Sequence, residues 1–233
     1  QASMSLEATL QELSDPASEL KPTLLSTISG LPPEGEEELR EAWADIHLSR
    51  RREIITSITE LADDDVGLDF LSVLLIALED DDLEIRVPAI AGLWETSDRR
   101  VIKPLIDCMV GDDSGEGRAA AATALGHFVE LAEEGKLIKR DAARVQEALI
   151  SVLEDEDELV SVRRRALESI APCGHLDIEA WIHWAHKSED PSLRQSAVFA
   201  MGRTCDPVWL SFVVEEMVSD DPAMRFEAAN AAR

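Results

Sequence analysis

Tyrosine is absent from this chain of 233 residues, and Phe and Trp together reach only 4%. That disfavours a β-sandwich built on large rings and suits helices packed on small and aliphatic side chains. Cysteine is scarce as well: Cys108, Cys173 and Cys205 are odd in number and lack CxxC spacing. Reduced thiols are expected, not a disulfide framework. No stretch approaches the ~20 continuous apolar residues of a bilayer span, and the most hydrophobic one runs only from Val73 to Leu78. The N-terminus shows no basic region followed by an apolar core, so no signal peptide is recognised and the expected compartment is cytoplasmic. GxGxxG, P-loop and GxSxG motifs are missing too. The glycine-rich stretch Gly111-Asp112-Asp113-Ser114-Gly115-Glu116-Gly117 holds three acids that would repel a phosphate.

Positive charge is the other shortage. Lys and Arg number 22 against 48 Asp and Glu, a formal charge of −26. Such a surface repels phosphate backbones and anionic lipid, so neither nucleic acid nor membrane is an expected partner. The acids suit helix capping and solubility, and an acidic edge also suits a protein partner with a basic surface.

What the chain does contain is one helix-forming phrase written repeatedly. In its clearest copy Asp190 is an N-cap, Pro191 occupies the first helical position, and Leu193, Ala197, Val198, Ala200 and Met201 share one side. Arg86, Arg118, Arg163, Arg194 and Arg225 mark five copies, at intervals of 32, 45, 31 and 31 residues. Three residues after each arginine stands Ala89, Ala121, Ala166, Ala197 or Ala228, and the positions at offsets four and seven are apolar, which traces one helical face. An acidic turn precedes each arginine, and Arg51 with Ile54, Ile55, Ile58 and Leu61 begins a degenerate sixth copy. A second amphipathic segment lies between copies: residues 68–78, 100–110, 142–153, 176–186 and 207–218. Two helices recurring at this period predict an all-α solenoid of about six helix pairs over residues 34–233, with residues 1–33 as N-terminal cap helices.

Acidic turn, arginine, alanine and an aliphatic helix together resemble the HEAT repeat. The short period and alanine richness are most similar to the HEAT-like units of the phycobilin lyase type. The resemblance implies a right-handed superhelix. It also implies a structural ladder between units, formed by Asp82, Asp113, Asp157, Asp190 and Asp221 with Arg86, Arg118, Arg163, Arg194 and Arg225. The function implied is a non-enzymatic scaffold or adaptor that binds an unidentified protein; the alternative is a phycobilin-type lyase or lyase subunit, which a coloured tetrapyrrole carried through purification would reveal.

Candidate sites are few, and none is catalytic; no cofactor and no metal is implied. His183 and His186, with His175 and Glu179 nearby, have the spacing of half a zinc site but lack a second ligand pair. HEAT-like hydroxylases place His-Glu pairs in their repeats, and no His-Glu pair occurs here. The runs Arg50-Arg51-Arg52 and Arg163-Arg164-Arg165 lie beside acids and each include a ladder position, which argues against phosphate binding. Two groups remain for partner binding. The long interval falls around residues 133–140, an overrun with an inserted loop or turn that bears Lys136, Lys139 and Arg140. Trp181 and Trp184 cluster with Trp209; core or inter-helix packing is their first reading and a binding hot spot their second. Finally, the last copy stops eight residues after Arg225 with no capping helix, so the array is expected to be truncated at its C-terminal end. An exposed face around Trp209, Phe212, Val213 and Phe226 would then favour self-association there.

Overall fold

The computed structural model describes residues 5–174 and 176–233; residues 1–4 of the expected cap, and His175, lie outside them. Among the described residues every regular element is helical, and no helix is long and apolar enough to cross a membrane. The chain divides into two compact units, residues 1–94 and 95–233.

In the first unit α1 (Leu6–Ser14) and α2 (Pro22–Leu25, continued by a 3-10 turn at Ser26–Ile28) precede two pairs, α3 (Pro33–Trp43) with α4 (Leu48–Asp64) and α5 (Leu71–Ala77) with α6 (Leu83–Ala91). The stripe Ile54, Ile55 and Ile58 is fully buried, as are Ile85, Ala89 and Ile90 one pair later. The register arginine therefore sets the core face of α4 and of α6 alike. Successive helices of the same kind pack together, α3 on α5 and α4 on α6, and α1 and α2 cover α3 and α4.

The arginine run of α4 fastens this unit in three directions. Arg50, only 2% exposed, donates through Nη2 to the backbone oxygens of Asp15 and Ser18 and so holds the cap segment. Arg51 Nη1 reaches Asp80 Oδ2 at 2.6 Å, and Arg52 pairs with Asp82 at 2.5 Å and Glu84 at 2.6 Å in the next turn. The Asp80 side chain is 0% exposed, and its charge is sustained by Arg51, by Trp43 Nε1 at 2.7 Å and by the Asp82 amide at 2.9 Å. A buried carboxylate is tolerable only when so surrounded.

The second unit stacks four pairs: α7 (Ile102–Gly111) with α8 (Gly115–Glu133), α9 (Lys139–Glu154) with α10 (Val160–Ile170), α11 (Glu179–His186) with α12 (Pro191–Arg203), and α13 (Leu210–Glu216) with α14 (Pro222–Ala231). Second helices lie directly on one another, α8 on α10, α10 on α12 and α12 on α14. The alanines three residues past each arginine, Ala121, Ala166, Ala197 and Ala228, are all 0% exposed at these contacts. Where α12 meets α14 the approach requires glycine, since a Cβ at Gly202 would lie 2.6 Å from Ala231 Cα.

The long interval between Arg118 and Arg163 is taken up by an overrun of helix and a short turn. Its residues lengthen helices, giving α8 19 residues and α9 16, and the connection between them is short. Gly135, at φ +71, closes α8: the Lys136 amide bonds back to Leu131 O at 2.8 Å and the Gly135 amide to Ala132 O at 3.0 Å. The last pair departs from expectation. Trp209 and Val213 are buried at 4% and 3% exposure, because they pack back into their own unit. Phe226 is 67% exposed, and Val208, Leu210, Val214 and Val218 join it at the surface.

Candidate functional site

The five register arginines share one task. Arg86 Nη1 donates to Asp80 O at 2.8 Å, Arg118 Nη1 to Asp112 O at 2.8 Å, Arg194 Nη1 to Ser188 O at 2.8 Å and Arg225 Nη1 to Ser219 O at 2.7 Å, each six residues back. Arg163 does the same from further on, donating to Leu153 O through Nε at 3.2 Å and Nη2 at 2.8 Å. These carbonyls stand at or just beyond the C-terminal ends of the first helices, where acceptors lack intrahelical partners and the helix dipole is negative. Each guanidinium thus ties a second helix to the turn before it.

The turn acids divide their roles. Asp82, Asp190 and Asp221 are N-caps, accepting from Glu84, from Ser192 and Leu193, and from Ala223 respectively. Asp82 is held below the usual carboxylate range by Arg52, and Asp190 by hydrogen bonds from Ser192. Ser114, the neighbour of Asp113, caps α8. Asp157 is exposed, and the acid facing Arg118 is Glu158, one residue later, at 2.8 and 2.9 Å in a two-pronged bond. That bond joins α8 to the turn ahead of α10, and it depresses the Glu158 carboxyl against the opposing effect of burial.

The second basic run is likewise consumed inside the fold. Arg164 Nε donates to Ser196 Oγ at 2.9 Å, and Arg165 Nη1 pairs with Glu168 at 2.7 Å. Lys136 and Arg140 are exposed and meet acids of their own corner, Glu134 at 2.6 Å and Asp141 at 3.8 Å; Lys139 opens α9, also exposed. Asp141 itself is buried against Arg99, which lowers its pKa. The histidines enter packing: His183 stands edge-on to Trp209 and Phe212 with centroids 4.9 and 5.6 Å away, and His186 Nε2 meets Glu216 Oε1 at 2.8 Å. No group of three metal-ligating side chains gathers among the described residues.

An open pocket lies on α11. Trp181 and Trp184, one turn apart and both half-buried, stand at 87° with centroids 6.1 Å apart. Arg163, 8% exposed, lies over the Trp184 ring at 4.1 Å from its centroid. With Ala180 and Glu156 these residues line a cavity of about 410 Å³ open to solvent. Neither tryptophan joins the core: α11 buries Ile182 and Ala185, one position further along, and leaves Trp181 and Trp184 half-buried at the edge of that face, where Trp184 packs on Arg163 of α10. Arg163 and Glu156 are members of the site that sequence reasoning missed; Glu156 had no signal beyond its place in the acidic run 154–158.

Comparison with known proteins agrees with this architecture. A family description of HEAT repeats matches residues 71–171. Among solved structures, an engineered protein is 19% identical, covers 97% of this chain and 67% of its own, and superposes with a TM-score of 0.51. A designed armadillo repeat protein is 17% identical over 98% of both chains with a TM-score of 0.42, and human deoxyhypusine hydroxylase in complex with glycerol is 16% identical over 97% and 94% with a TM-score of 0.39. No curated protein matches. None of these relatives is a phycobilin lyase, and that finer likeness is not confirmed. Residues 71–171 are HEAT repeats, and the helix pairs on either side of them continue the same all-α solenoid pattern.

Proposed function

We propose that this protein is a binding scaffold, which holds a polypeptide partner and performs no chemistry of its own. One observation carries the reading: the arginine runs and the α11 histidines are engaged in internal contacts, whereas Trp181 and Trp184 are kept half-open around a surface pocket. Tryptophan with buried sides and an accessible edge is the residue type most enriched at protein-binding hot spots. The acidic surface argues against nucleic acid as the partner.

A photo-crosslinking side chain at exposed Ala180 tests this. In an extract of the source cells it should form an adduct with a polypeptide that the same group at Glu60 does not capture, and Trp181→Ala should diminish that adduct. Equal labelling from both positions, or none, would refute the proposal.

A further inference from the structure

We propose that Trp181, Trp184 and Glu156 receive a lysine or arginine side chain of a basic polypeptide segment, which deepens the scaffold reading above and rests on it. Two indoles at right angles provide two aromatic walls, and an aromatic surface attracts a cation through its ring quadrupole. Trp184 already demonstrates this with Arg163 at 4.1 Å. Arg163 is not a competitor for the opening, because it is buried and its Nε and Nη2 both point to Leu153 O. The one acid of the lining is Glu156. Glu156 is exposed and has no ion-pair partner among the described residues, and it belongs to the run Glu154-Asp155-Glu156-Asp157-Glu158.

A cavity of about 410 Å³ accommodates the methylene stem of a long cationic side chain against the corner that the two rings form, with its charged head toward Glu156. An anionic or phosphorylated segment would meet the exposed acids Glu154, Asp155, Glu156 and Asp157. Charge complementarity with a chain of formal charge −26 therefore selects a basic occupant.

The probe is a fluorescein-labelled dodecapeptide of alternating lysine and glycine, titrated by anisotropy in about 150 mM NaCl, where diffuse attraction is screened beyond about 8 Å. Trp181→Ala leaves the charge unchanged and should weaken binding at least fivefold, with the circular dichroism of the wild type as the check on folding. E156Q should weaken it about threefold, whereas E41Q, which removes the same charge from exposed α3, should leave it unchanged. Equal binding by wild type and Trp181→Ala, an E156Q effect no larger than that of E41Q, or no binding at all would overturn the site. Each of those results spares the scaffold reading, which stands or falls on the Ala180 crosslink.

Discussion

At the scale of single residues, the register arginine is a fastener whose strength follows its burial. Arg163 is nearly buried, Arg194 half-buried and Arg225 exposed, although all three donate to turn carbonyls. A hydrogen bond from a charged donor contributes more when water cannot replace it, so Arg194→Ala should cost about 1–2 kcal/mol and Arg225→Ala less than about 1 kcal/mol. Urea midpoints measure both, with exposed Arg233→Ala as the unchanged control; equal losses at 194 and 225 would show that burial is not the governing variable. Glu227 works in the opposite sense. Burial first, and the neighbouring Glu168 second, raise its carboxyl pKa, despite a hydrogen bond with Gln195. The folded state then holds this proton more tightly than the unfolded chain, so its stability contribution is lost as pH rises through the carboxylate range. Glu227→Gln should raise the melting temperature at pH 7 and give no gain near pH 4, where the wild-type side chain is neutral as well. A gain of the same size at both pH values would contradict the assignment.

At the scale of elements, helix starts and core faces were legible because both are written in side chains. Asp190-Pro191 opens α12 and Asp221-Pro222 opens α14, and the offsets of three, four and seven from Arg194 are all buried. What the arginines bind was not legible, since a backbone carbonyl has no residue type to announce it. The overrun between Arg118 and Arg163 was legible too, but not its division between helix and turn: α8 runs to Glu133, and Gly135, at a left-handed φ, closes it. The tryptophans of α11 mislead for a related reason. Their i, i+3 spacing is that of a helical stripe, but the buried stripe is Ile182 and Ala185, one position on, so the tryptophans stand at its edge. Close packing of second helices makes its own prediction at Gly202. Alanine there is a better helix former by about 1 kcal/mol, yet its Cβ would enter the Ala231 backbone of α14. Overpacking of that kind costs about 1–3 kcal/mol, so a net loss is expected, together with faster proteolysis within α14. A more stable Gly202→Ala variant would mean that the two helices separate at little cost.

At the scale of the whole molecule, charge dominates. With 48 acids and 22 bases, most carboxylates have no basic side chain available to them, and the pI near 4.4 leaves the protein strongly anionic at neutral pH. Two opposed effects respond to salt. Exposed pairs such as Lys103–Asp107 and Lys136–Glu134 weaken when screened, but pairs so open to water contribute little to begin with. Repulsion among the unpaired acids weakens too, and it acts over the longer distances that screening removes first, since the Debye length falls to about 3 Å at 1 M. The better-enclosed pairs, Arg51 with Asp80 and Arg118 with Glu158, are shielded from salt by their burial and retain most of their attraction. Net charge should therefore decide the outcome, because compactness opposes the self-repulsion of a chain carrying −26. Raising NaCl from about 20 mM to about 500 mM at pH 7 should increase the melting temperature, and the increase should shrink as pH approaches the pI, where the repulsion disappears. A melting temperature that falls with salt at pH 7 would show that the surface ion pairs outweigh the excess acids.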